Sequence, residues 1–429
     1  MRTHILFFHA VVLLVVLLVP ISSFAKSLLF GAGVRHFPPG ASSTLIPASS
    51  GVRSDQLQNI SRVIQSSIAA SYYPGAVVLV YHHHRKIYQG IFGNQQILPS
   101  IVPMRLTVIF DLASLTKVIA TTTAIMQLVE QGRLELDAPV AEYWPAFATH
   151  GKANITIREL LTHTSGLQAD VSNSENNILQ KVVQLTPQYT PGTRYLYSDL
   201  GFIVLGELVR IISGEPLDVY ATKNIFMPLG MHNTFFNPPL RLQKRIAPTD
   251  LEDGKLYWGT VQDPLARAMG GVSGHAGLFS TATDLARFTQ MMLSDGKISF
   301  ASKKSSSWIL SPLTILKMTT SQTPSSVTEA HGLGWDIDSR FSSRGILLPT
   351  QSYGHTGWTG TSIWLDPATQ TAIIFLTSRT HPKPDLNNQV VEDRRLIANI
   401  VAASLTDVHS VSTYHNTFSG ELQRAYATQ

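Results

Sequence analysis

Strand-like segments stand at both ends of this chain, whereas helical periodicity dominates its middle. Short apolar runs typical of buried strands occur in two separate groups, namely at residues 75–81, 86–92, 331–338, 354–365 and 371–378. Helical patterns at residues 55–70 and 391–405 accompany the two groups. The simplest packing is one sheet built from both ends of the chain and covered by these terminal helices. The sequence therefore predicts an α+β fold, with an antiparallel sheet flanked by helices plus an all-helical insertion.

The same pattern divides the chain into segments. Residues 54–140 and 331–405 are predicted to form one sheet-plus-helix domain, and residues 141–330 a mostly helical domain. Residues 26–53 are rich in Gly, Pro and Ser without clear periodicity, so we interpret them as a linker. Residues 406–429 form a polar tail to which we assign no structure. A cleft between two such domains is a common location for a binding site.

The first 25 residues have the features of an export signal. Arg2 provides a positive start, an apolar stretch follows at residues 5–20, and Ser23 and Ala25 are small residues of the type that signal peptidases recognise. We predict cleavage after Ala25, which places the mature protein in the periplasm or elsewhere outside the cytoplasm. An uncleaved segment anchored in the inner membrane is the alternative, because the apolar stretch is close to the length that spans a bilayer.

Composition excludes several classes of function. The chain has no cysteine, so disulfides, thiolate nucleophiles and cysteine-ligated metals are ruled out. Its formal charge of +5 is not gathered into a long basic stripe with aromatic neighbours, so no nucleic acid is expected as a partner. Three adjacent histidines, His82, His83 and His84, suggest a metal site. Neighbouring residues on a strand point to opposite faces, however, so we interpret them as solvated turn residues and expect no metal or other cofactor.

A serine and a lysine three residues apart are the first candidates for chemistry. The pattern S-x-x-K occurs at Ser23, Ser114 and Ser294, but only Ser114 opens a long apolar helical segment, at residues 115–130. Three-residue spacing places Lys117 on the same helix face as Ser114, where it can accept or relay the serine proton. The helix N-terminus favours negative charge on the serine oxygen. The alternative is a helix-capping serine followed by an exposed lysine.

Two further segments could complete an acyl-transfer site. Tyr197 precedes Asp199 by two residues, and a nearby ammonium could hold its phenol ionised as a general base. Gly357 lies on a predicted strand and would let a substrate backbone approach, while the amide of Trp358 could form an oxyanion hole with that of Ser114. Taken alone, the tyrosine could equally be a core residue and the glycine-rich segment a β-bulge.

Together, these segments resemble the three motifs of the serine β-lactamase and penicillin-binding protein superfamily, in its class C-like branch. The resemblance implies the β-lactamase/transpeptidase-like fold, with Ser114 as the acylated nucleophile and with Lys117 and Tyr197 handling its proton. It also implies substrate-binding roles for the remaining motif residues, which are Asp199, His355, Thr356, Gly357 and Trp358. Segments around His163 and His275 add to the resemblance, and we interpret both histidines as loop-organising hydrogen bonders.

Asp199 departs from the pattern of this branch, which has Asn at that position. An amide can donate a hydrogen bond to a substrate carbonyl, whereas an ionised carboxylate can only accept. Asp199 could instead pair with Lys117 and hold it charged, which would favour Tyr197 as the base. Because the amide donor is missing, efficient β-lactam hydrolysis is not expected.

The resemblance implies a D-alanyl-D-alanine carboxypeptidase-type enzyme that acts on small peptides or peptidoglycan stems and reacts with β-lactams. An esterase or a β-lactamase on the same fold is the alternative among enzymes. A non-catalytic peptidoglycan-binding envelope protein is the alternative outside them. The oligomeric state is left open by the sequence.

Overall fold

The computed structural model describes residues 42–45, 51–172, 177–298, 307–383 and 388–408. The predicted export signal at residues 1–25 lies outside them, as do most of the predicted linker and of the polar tail. The described residues all belong to one compact unit, Gly40–Gln429. The domain boundaries expected near residues 140 and 330 stay a prediction.

A single antiparallel sheet contains nine of the strands found among the described residues. The strands, in chain order, are β1 (Ser42–Leu45), β2 (Gly75–His82), β3 (Arg85–Gln96), β4 (Val102–Pro103), β5 (Ile109–Asp111), β6 (Phe235–Phe236), β7 (Leu251–Glu252), β8 (Lys255–Leu256), β9 (Leu278–Thr281), β10 (Ala330–His331), β11 (Asp336–Asp338), β12 (Tyr353–Thr356), β13 (Ser362–Asp366) and β14 (Thr371–Thr377). The spatial order in the large sheet is β1-β3-β2-β14-β13-β12-β11-β10, and β4 pairs with β3.

Both ends of the described chain contribute to this sheet, as the sequence predicts. Strand β14 pairs antiparallel with β2, with Thr371 opposite His82 and Thr377 opposite Ala76. All seven residues of β14 are buried, because helices cover both faces of the sheet at this position. The central pairing therefore joins the N-terminal hairpin to the C-terminal strands.

Helices cover the two faces of the sheet. On one face α2 and α12 pack together over a small core that contains Ile64, Val78 and Val401. On the other face lies the larger core, which takes in the central helices. The α-helices are α1 (Ser54–Leu57), α2 (Asn59–Ala69), α3 (Thr123–Glu130), α4 (Val140–Tyr143), α5 (Ile157–Leu161), α6 (Ile178–Gln184), α7 (Asp199–Ser213), α8 (Leu217–Ala221), α9 (Pro264–Ala268), α10 (Ala282–Leu293), α11 (Pro312–Thr319) and α12 (Gln389–Ser404).

In the part of the chain that the structure describes, four further helical segments depart from α geometry. Two are π-helical, Lys117–Thr122 and Thr222–Phe226, and two are 3₁₀ helices, Pro145–Ala148 and Leu240–Arg245. The first π segment interrupts the single long helix that the sequence predicts after Ser114. Among the described residues, no helix is both long enough and apolar enough to cross a membrane.

Two sequence predictions about strands are corrected. Ser42–Leu45, placed in the linker, forms the edge strand β1, because its backbone pairs with β3. Residues 354–365 are not one continuous strand. The backbone reverses between β12 and β13, where the amide of Gly357 donates to the carbonyl of Thr361 at 2.7 Å. Gly357 and Trp358 therefore lie in a tight turn, not on a strand.

The three adjacent histidines also differ from expectation. His83 and His84 lie in the β2–β3 turn and are exposed, as predicted, but His82 is the last residue of β2 and is buried. Its ring lies beside the Thr371 hydroxyl, at 2.9 Å. The prediction of a solvated residue is wrong for His82, because β14 continues alongside β2 to its last residue.

Candidate active site

A strained turn precedes the candidate nucleophile. Ala113 has a φ of 46°, in the left-handed region that side chains rarely adopt. The buried carboxylate of Asp111 stabilises this turn by accepting the Ala113 amide at 2.9 Å and the Gln262 amide at 2.7 Å. The turn directs Ser114, which is half-buried, away from the core that holds its neighbours. Sequence reasoning did not identify Asp111, because its partners are backbone groups that no motif marks.

Ser114 and Lys117 are in hydrogen-bond contact, which confirms the predicted proximity. The Nζ atom of Lys117 donates to Ser114 Oγ at 2.9 Å and to the carbonyl of His275 at 3.1 Å. The Lys117 side chain is fully buried. The π-helical turn that begins at Lys117 lies next to this contact, and single π turns often occur at functional sites.

Asp199 forms an ion pair with Lys117. Its Oδ1 atom lies 2.7 Å from Lys117 Nζ. Asp199 is the first residue of α7, and the Ser198 hydroxyl caps this helix by accepting the Gly201 amide. Burial acts to lower the pKa of Lys117, but the Asp199 carboxylate and Tyr197 outweigh it and raise the pKa above its ordinary value. Lys117 is therefore an ammonium in the resting site, as the pairing hypothesis anticipated.

Tyr197 completes the group around the serine oxygen. Its side chain hydrogen-bonds with both Lys117 and Ser114, and its ring centroid lies 4.9 Å from Lys117 Nζ. Burial raises the pKa of Tyr197, and although Lys117 acts to lower it, the net shift is upward. The expectation of a resting phenolate is therefore wrong, since desolvation of the phenolate outweighs the attraction of one ammonium that Asp199 already neutralises.

His163 orders the segment that carries Tyr197. Its Nδ1 atom accepts the Ser198 amide at 3.0 Å, and its carbonyl accepts the Leu196 amide at 2.8 Å. The imidazole packs against the Tyr197 ring at a centroid distance of 4.4 Å. The prediction that His163 is a loop-organising hydrogen bonder is confirmed.

His275 has a similar supporting role, as predicted. Its Nδ1 atom contacts the Ser273 hydroxyl and its Nε2 atom the Asp263 carboxylate, both at 2.8 Å. Donor atoms of Asp199, Asp263 and His275 lie within 4.8 Å of one another. Lys117 bonds the Asp199 carboxylate and the His275 carbonyl, so an ammonium rather than a metal ion provides the positive charge here.

The third motif begins at the end of β12. His355 is buried, and its Nδ1 atom lies 2.9 Å from the carbonyl of Thr356. A carbonyl only accepts, so Nδ1 carries the hydrogen. Burial, and then the charge of Lys117, hold the pKa of His355 well below its usual range. The imidazole of His355 is therefore neutral in the resting site.

The turn after β12 packs directly on the backbone that precedes the nucleophile. A Cβ atom on Gly357 would overlap Thr361 Oγ1 and would lie 2.5 Å from the carbonyl of Leu112. The Thr361 hydroxyl donates to that same carbonyl at 3.1 Å. From α12, the buried guanidinium of Arg394 donates to the carbonyls of Gly357 and Thr361 at 3.1 and 3.0 Å. Arg394 was not identified from sequence, because it lies in an ordinary helical pattern.

Among the described residues, the backbone amides of Ser114 and Trp358 have no protein acceptor. They are the pair proposed from the sequence as an oxyanion hole. The Trp358 side chain is about half exposed, at 53%, and the Arg379 guanidinium lies 4.3 Å from its ring. Arg379 also donates to the Trp358 carbonyl at 2.7 Å, which fixes the backbone next to this amide.

A cavity of about 410 Å³ opens onto the serine. Most of the residues singled out from sequence line it, whereas Lys117 and Asp199 lie behind the serine. Residues that sequence reasoning missed form much of the wall. The lining residues are Ser114, Tyr195, Tyr197, His331, Asp336, Phe341, His355, Thr356, Gly357, Trp358, Arg379, Asn388, Val390, Val391 and Arg394.

This fold, with a serine hydroxyl held by a buried ammonium at the floor of a cavity, defines a serine hydrolase. The chain belongs to the Beta-lactamase family, whose model matches residues 60–396. A protein of Escherichia coli O157:H7 named "Putative D-alanyl-D-alanine carboxypeptidase" is 32% identical over 396 residues, which cover 82% of this chain and 89% of the relative. The resemblance to the β-lactamase and penicillin-binding protein superfamily is thus confirmed.

Solved structures confirm the fold class. A penicillin-binding protein homologue from Caulobacter crescentus aligns over 83% of this chain and 99% of its own, with a TM-score of 0.66 and 20% identity. EstCE1, described as a hydrolase with promiscuous acyltransferase activity, aligns over 80% of this chain and 99% of its own, with a TM-score of 0.63 and 22% identity. At these identities the likeness shows the β-lactamase/transpeptidase-like fold.

Proposed function

We propose that this enzyme is a D-alanyl-D-alanine carboxypeptidase that works through an acyl-enzyme on Ser114. The observation that carries the proposal is the contact between Ser114 Oγ and the buried Lys117 ammonium, at 2.9 Å, on the floor of the cavity. The named function of the relative at 32% identity supports the choice of substrate. A pure binding protein has no physical need for this serine–lysine–tyrosine arrangement.

Acylation requires a base for the serine proton. Lys117 is already protonated, so we assign that role to the ionised form of Tyr197, which is a minor species at neutral pH. As Ser114 Oγ attacks the penultimate carbonyl, its proton passes to the Tyr197 oxygen. The amides of Ser114 and Trp358 then stabilise the oxyanion. Tyr197 returns the proton to the leaving D-Ala nitrogen, which breaks the peptide bond.

Deacylation reverses the same proton path. The Tyr197 phenolate takes a proton from water as the water oxygen attacks the ester carbonyl, and it then protonates the departing Ser114 oxygen. Lys117 remains an ammonium throughout and stabilises negative charge on both oxygens. These steps are complete without a metal ion.

The C-terminal carboxylate of the substrate has suitable partners in the cavity. Thr356 offers a hydroxyl, and Arg379 adds a guanidinium to the same wall. His355 is neutral, so it provides hydrogen bonding without the charge that a lysine would supply. We assign these residues and Gly357 to substrate binding, with peptidoglycan stem peptides as substrates and β-lactams as acylating analogues. Asp199 pairs with Lys117. We therefore propose that Asp199 affects substrate binding indirectly, through its interaction with that lysine.

Such substrates are found outside the cytoplasm, in agreement with the relatives named as carboxypeptidases. We propose that residues 1–25 direct export to the periplasm and are removed after Ala25. Retention as an inner-membrane anchor is the alternative outcome. Mass spectrometry of the protein recovered from the periplasm distinguishes the two, because cleavage removes the first 25 residues.

The decisive experiment is covalent labelling with a β-lactam, read by intact mass. The wild type should gain one acyl group, and peptide mapping should place it on Ser114. Ser114→Ala should not label. The matched control is Ser294→Ala, which removes the serine of another S-x-x-K sequence, at the end of α10, and should label like the wild type. Labelling of Ser114→Ala at the wild-type rate would end the proposal.

Substrate choice is tested separately on the same preparations. D-Ala release from a muramyl-type pentapeptide, hydrolysis of p-nitrophenyl esters and hydrolysis of nitrocefin are compared for the wild type. Release of D-Ala supports the carboxypeptidase. Ester hydrolysis without any D-Ala release would replace the carboxypeptidase proposal with an esterase on the same Ser114 machinery.

A further inference from the structure

A second cluster of side chains lies where the β2–β3 hairpin meets the segment that follows α12. His82, His83 and Asp407 come together there, and none of them lines the cavity at Ser114. His82 is buried, Asp407 is about one-fifth exposed and His83 is exposed. The cluster therefore has a buried base and an accessible outer side.

Backbone conformation explains how two adjacent histidines face the same carboxylate. Side chains alternate only while the chain stays extended, and the strand ends at His82. His83 has a φ of 46°, which turns its side chain back toward its neighbour, and the two ring centroids lie 4.3 Å apart. The two rings therefore converge, although alternation along a strand predicts that they diverge.

The hydrogen bonds of His82 fix which ring nitrogen carries its hydrogen. Nδ1 lies 2.9 Å from the Thr371 hydroxyl. The Thr371 hydroxyl donates its own hydrogen to the Thr369 carbonyl. The Thr371 oxygen is therefore the acceptor in its contact with His82, and Nδ1 is the donor.

The other ring nitrogen then faces a carboxylate. His82 Nε2 lies 3.1 Å from both Asp407 oxygens, and His83 Nε2 lies 3.6 Å from one of them. With its hydrogen on Nδ1, a neutral His82 presents a lone pair to these oxygens, which is repulsive. A positive species is needed between them, and it is either a second proton on the ring or a metal ion.

We propose that His82, His83 and Asp407 bind one divalent transition-metal ion, with Zn²⁺ as the best match. Imidazole nitrogens and a carboxylate oxygen are ligands that Zn²⁺ prefers. Tetrahedral Zn²⁺ at ordinary bond lengths holds neighbouring ligand atoms about 3.3 Å apart, and the Nε2 atoms of His82 and His83 lie 3.1 and 3.6 Å from one Asp407 oxygen. The ligand atoms of all three residues lie within 4.8 Å of one another. Three protein ligands leave a fourth position for water. The Thr371 contact orients His82 in the way that hydrogen bonds around metal sites orient their ligands.

The ion would join parts of the chain that are far apart in sequence. His82 and His83 belong to the first hairpin, and Asp407 follows α12 by three residues. The Thr406 amide, next to Asp407, donates to the Gly51 carbonyl at 2.9 Å. Binding would therefore stabilise the folded state by holding the end of α12 against the edge of the sheet.

The test measures Zn²⁺ binding to the full chain after treatment with EDTA and dialysis. Calorimetry should give one strong site per chain, and Zn²⁺ should raise the thermal midpoint. His83→Ala removes an exposed ligand without opening the core, and Asp407→Asn keeps the side-chain shape. Each should weaken binding by roughly tenfold or more, because loss of even an outer-shell partner can cost that much.

His84→Ala is the matched control, since it removes the adjacent histidine, whose Nδ1 atom contacts Gln290 instead. It should bind Zn²⁺ and respond to it like the wild type. Co²⁺ bound at the site should show the visible absorption of a four-coordinate ion in the wild type and in His84→Ala. Absence of Zn²⁺ binding by the wild type, or equal binding by His83→Ala and Asp407→Asn, would overturn the proposal and leave a protonated His82 paired with Asp407.

Discussion

Lys117 and Asp199 form a salt bridge of 2.7 Å beside Ser114, the proposed nucleophile, although the lysine side chain is fully buried. A buried charge is costly unless it is paired and hydrogen-bonded. Lys117 meets both conditions through Asp199, Ser114 and the His275 carbonyl. The pair is almost neutral as a whole, so it attracts a phenolate at Tyr197 less than a lone ammonium would.

Replacement of Asp199 by Asn should move the pH dependence of activity. The carboxylate is one of the groups that raise the pKa of Tyr197, and it also raises that of Lys117. Its removal lowers both pKa values, so ionised Tyr197, the proposed acceptor of the serine proton, forms at lower pH. At a pH below the pKa of Tyr197, the ionised fraction rises about tenfold when that pKa falls by one.

The measurement is the pH dependence of kcat/KM for a p-nitrophenyl ester, recorded between about pH 6 and pH 10. Its ascending limb should move to lower pH in Asp199→Asn. A limb that stays in place or moves upward contradicts the assignment of Tyr197 as base.

Replacement of Gly357 by Ala should damage the site through its backbone. The added Cβ would overlap the Thr361 hydroxyl and press on the Leu112 carbonyl, two residues before the nucleophile. Overpacking of this kind costs about 1–3 kcal/mol, and we expect β-lactam acylation to slow by roughly tenfold or more, since small misplacements of reacting groups are expensive.

Gly201→Ala is the control for this change. Gly201 is in α7, and its nearest contact for an added Cβ is an ordinary 3.6 Å to Leu160. Urea unfolding and the acylation rate should both stay close to the wild type. Equal behaviour of the two variants would mean that the close packing at Gly357 has no functional role.

Arg394 is expected to be important for stability although it carries out no chemistry. Arg394→Met leaves the buried carbonyls of Gly357 and Thr361 without their guanidinium donor. Each carbonyl keeps one backbone donor, the Gly360 amide for Gly357 and the Gly357 amide for Thr361. Loss of the guanidinium bond therefore costs about 0.5–1.5 kcal/mol per carbonyl, so urea denaturation should show a free energy of unfolding lower by roughly 1–3 kcal/mol.

The neighbouring Arg395 is partly exposed and bonds Glu392 one turn away. Arg395→Met should change stability by no more than about 0.5 kcal/mol, and a similar loss in both variants would argue against the specific role of Arg394.

Asp111 should give the enzyme a pH-dependent stability. Burial raises the pKa of this carboxyl to about 7, and the amides of Gln262 and Ala113 only partly oppose it. Between the ordinary value of 3.8 and about 7, the folded state therefore binds more protons than the unfolded state. The contribution of this protonated carboxyl to the free energy of unfolding is therefore fully present below pH 3.8, its ordinary pKa, and is lost as the pH rises from there to about 7.

The comparison with Asp111→Asn isolates this effect, because the amide does not titrate. The unfolding free energy of the wild type minus that of the variant should fall by about 1.4 kcal/mol per pH unit inside the window and stay constant above it. Urea unfolding at several pH values measures this difference. A difference that does not vary with pH would show that Asp111 is ionised throughout.

Much of the catalytic group could be predicted because its signals are local. Ser114 and Lys117 are three residues apart at the start of an apolar helix, so helix geometry alone brings them together. Tyr197 and His355 were found by the order of the motifs along the chain. The strands at both ends followed from apolar runs, and β14 pairs with β2 as that pattern requires.

Other features depend on contacts that no spacing encodes. Asp111 and Arg394 act on backbone groups far away in sequence, so their helix or strand positions look ordinary. The protonation of Tyr197 depends on the extent of its burial, which a residue pattern does not give. His82 and His83 converge because the backbone of His83 is left-handed. Side chains alternate between faces only where the chain is extended, so that rule does not apply there.

The pairing of β2 with β14 also has a consequence for how the molecule is made. Thr371 and His82, which face each other in this pairing, are separated by 289 positions. During synthesis, the edge of β2 that pairs with β14 has no partner until residues 371–377 have emerged. Non-local pairing of this kind slows folding and exposes unpaired strands to aggregation. A truncation before β14 would therefore leave a chain that cannot bury its first hairpin, whatever motifs it retains.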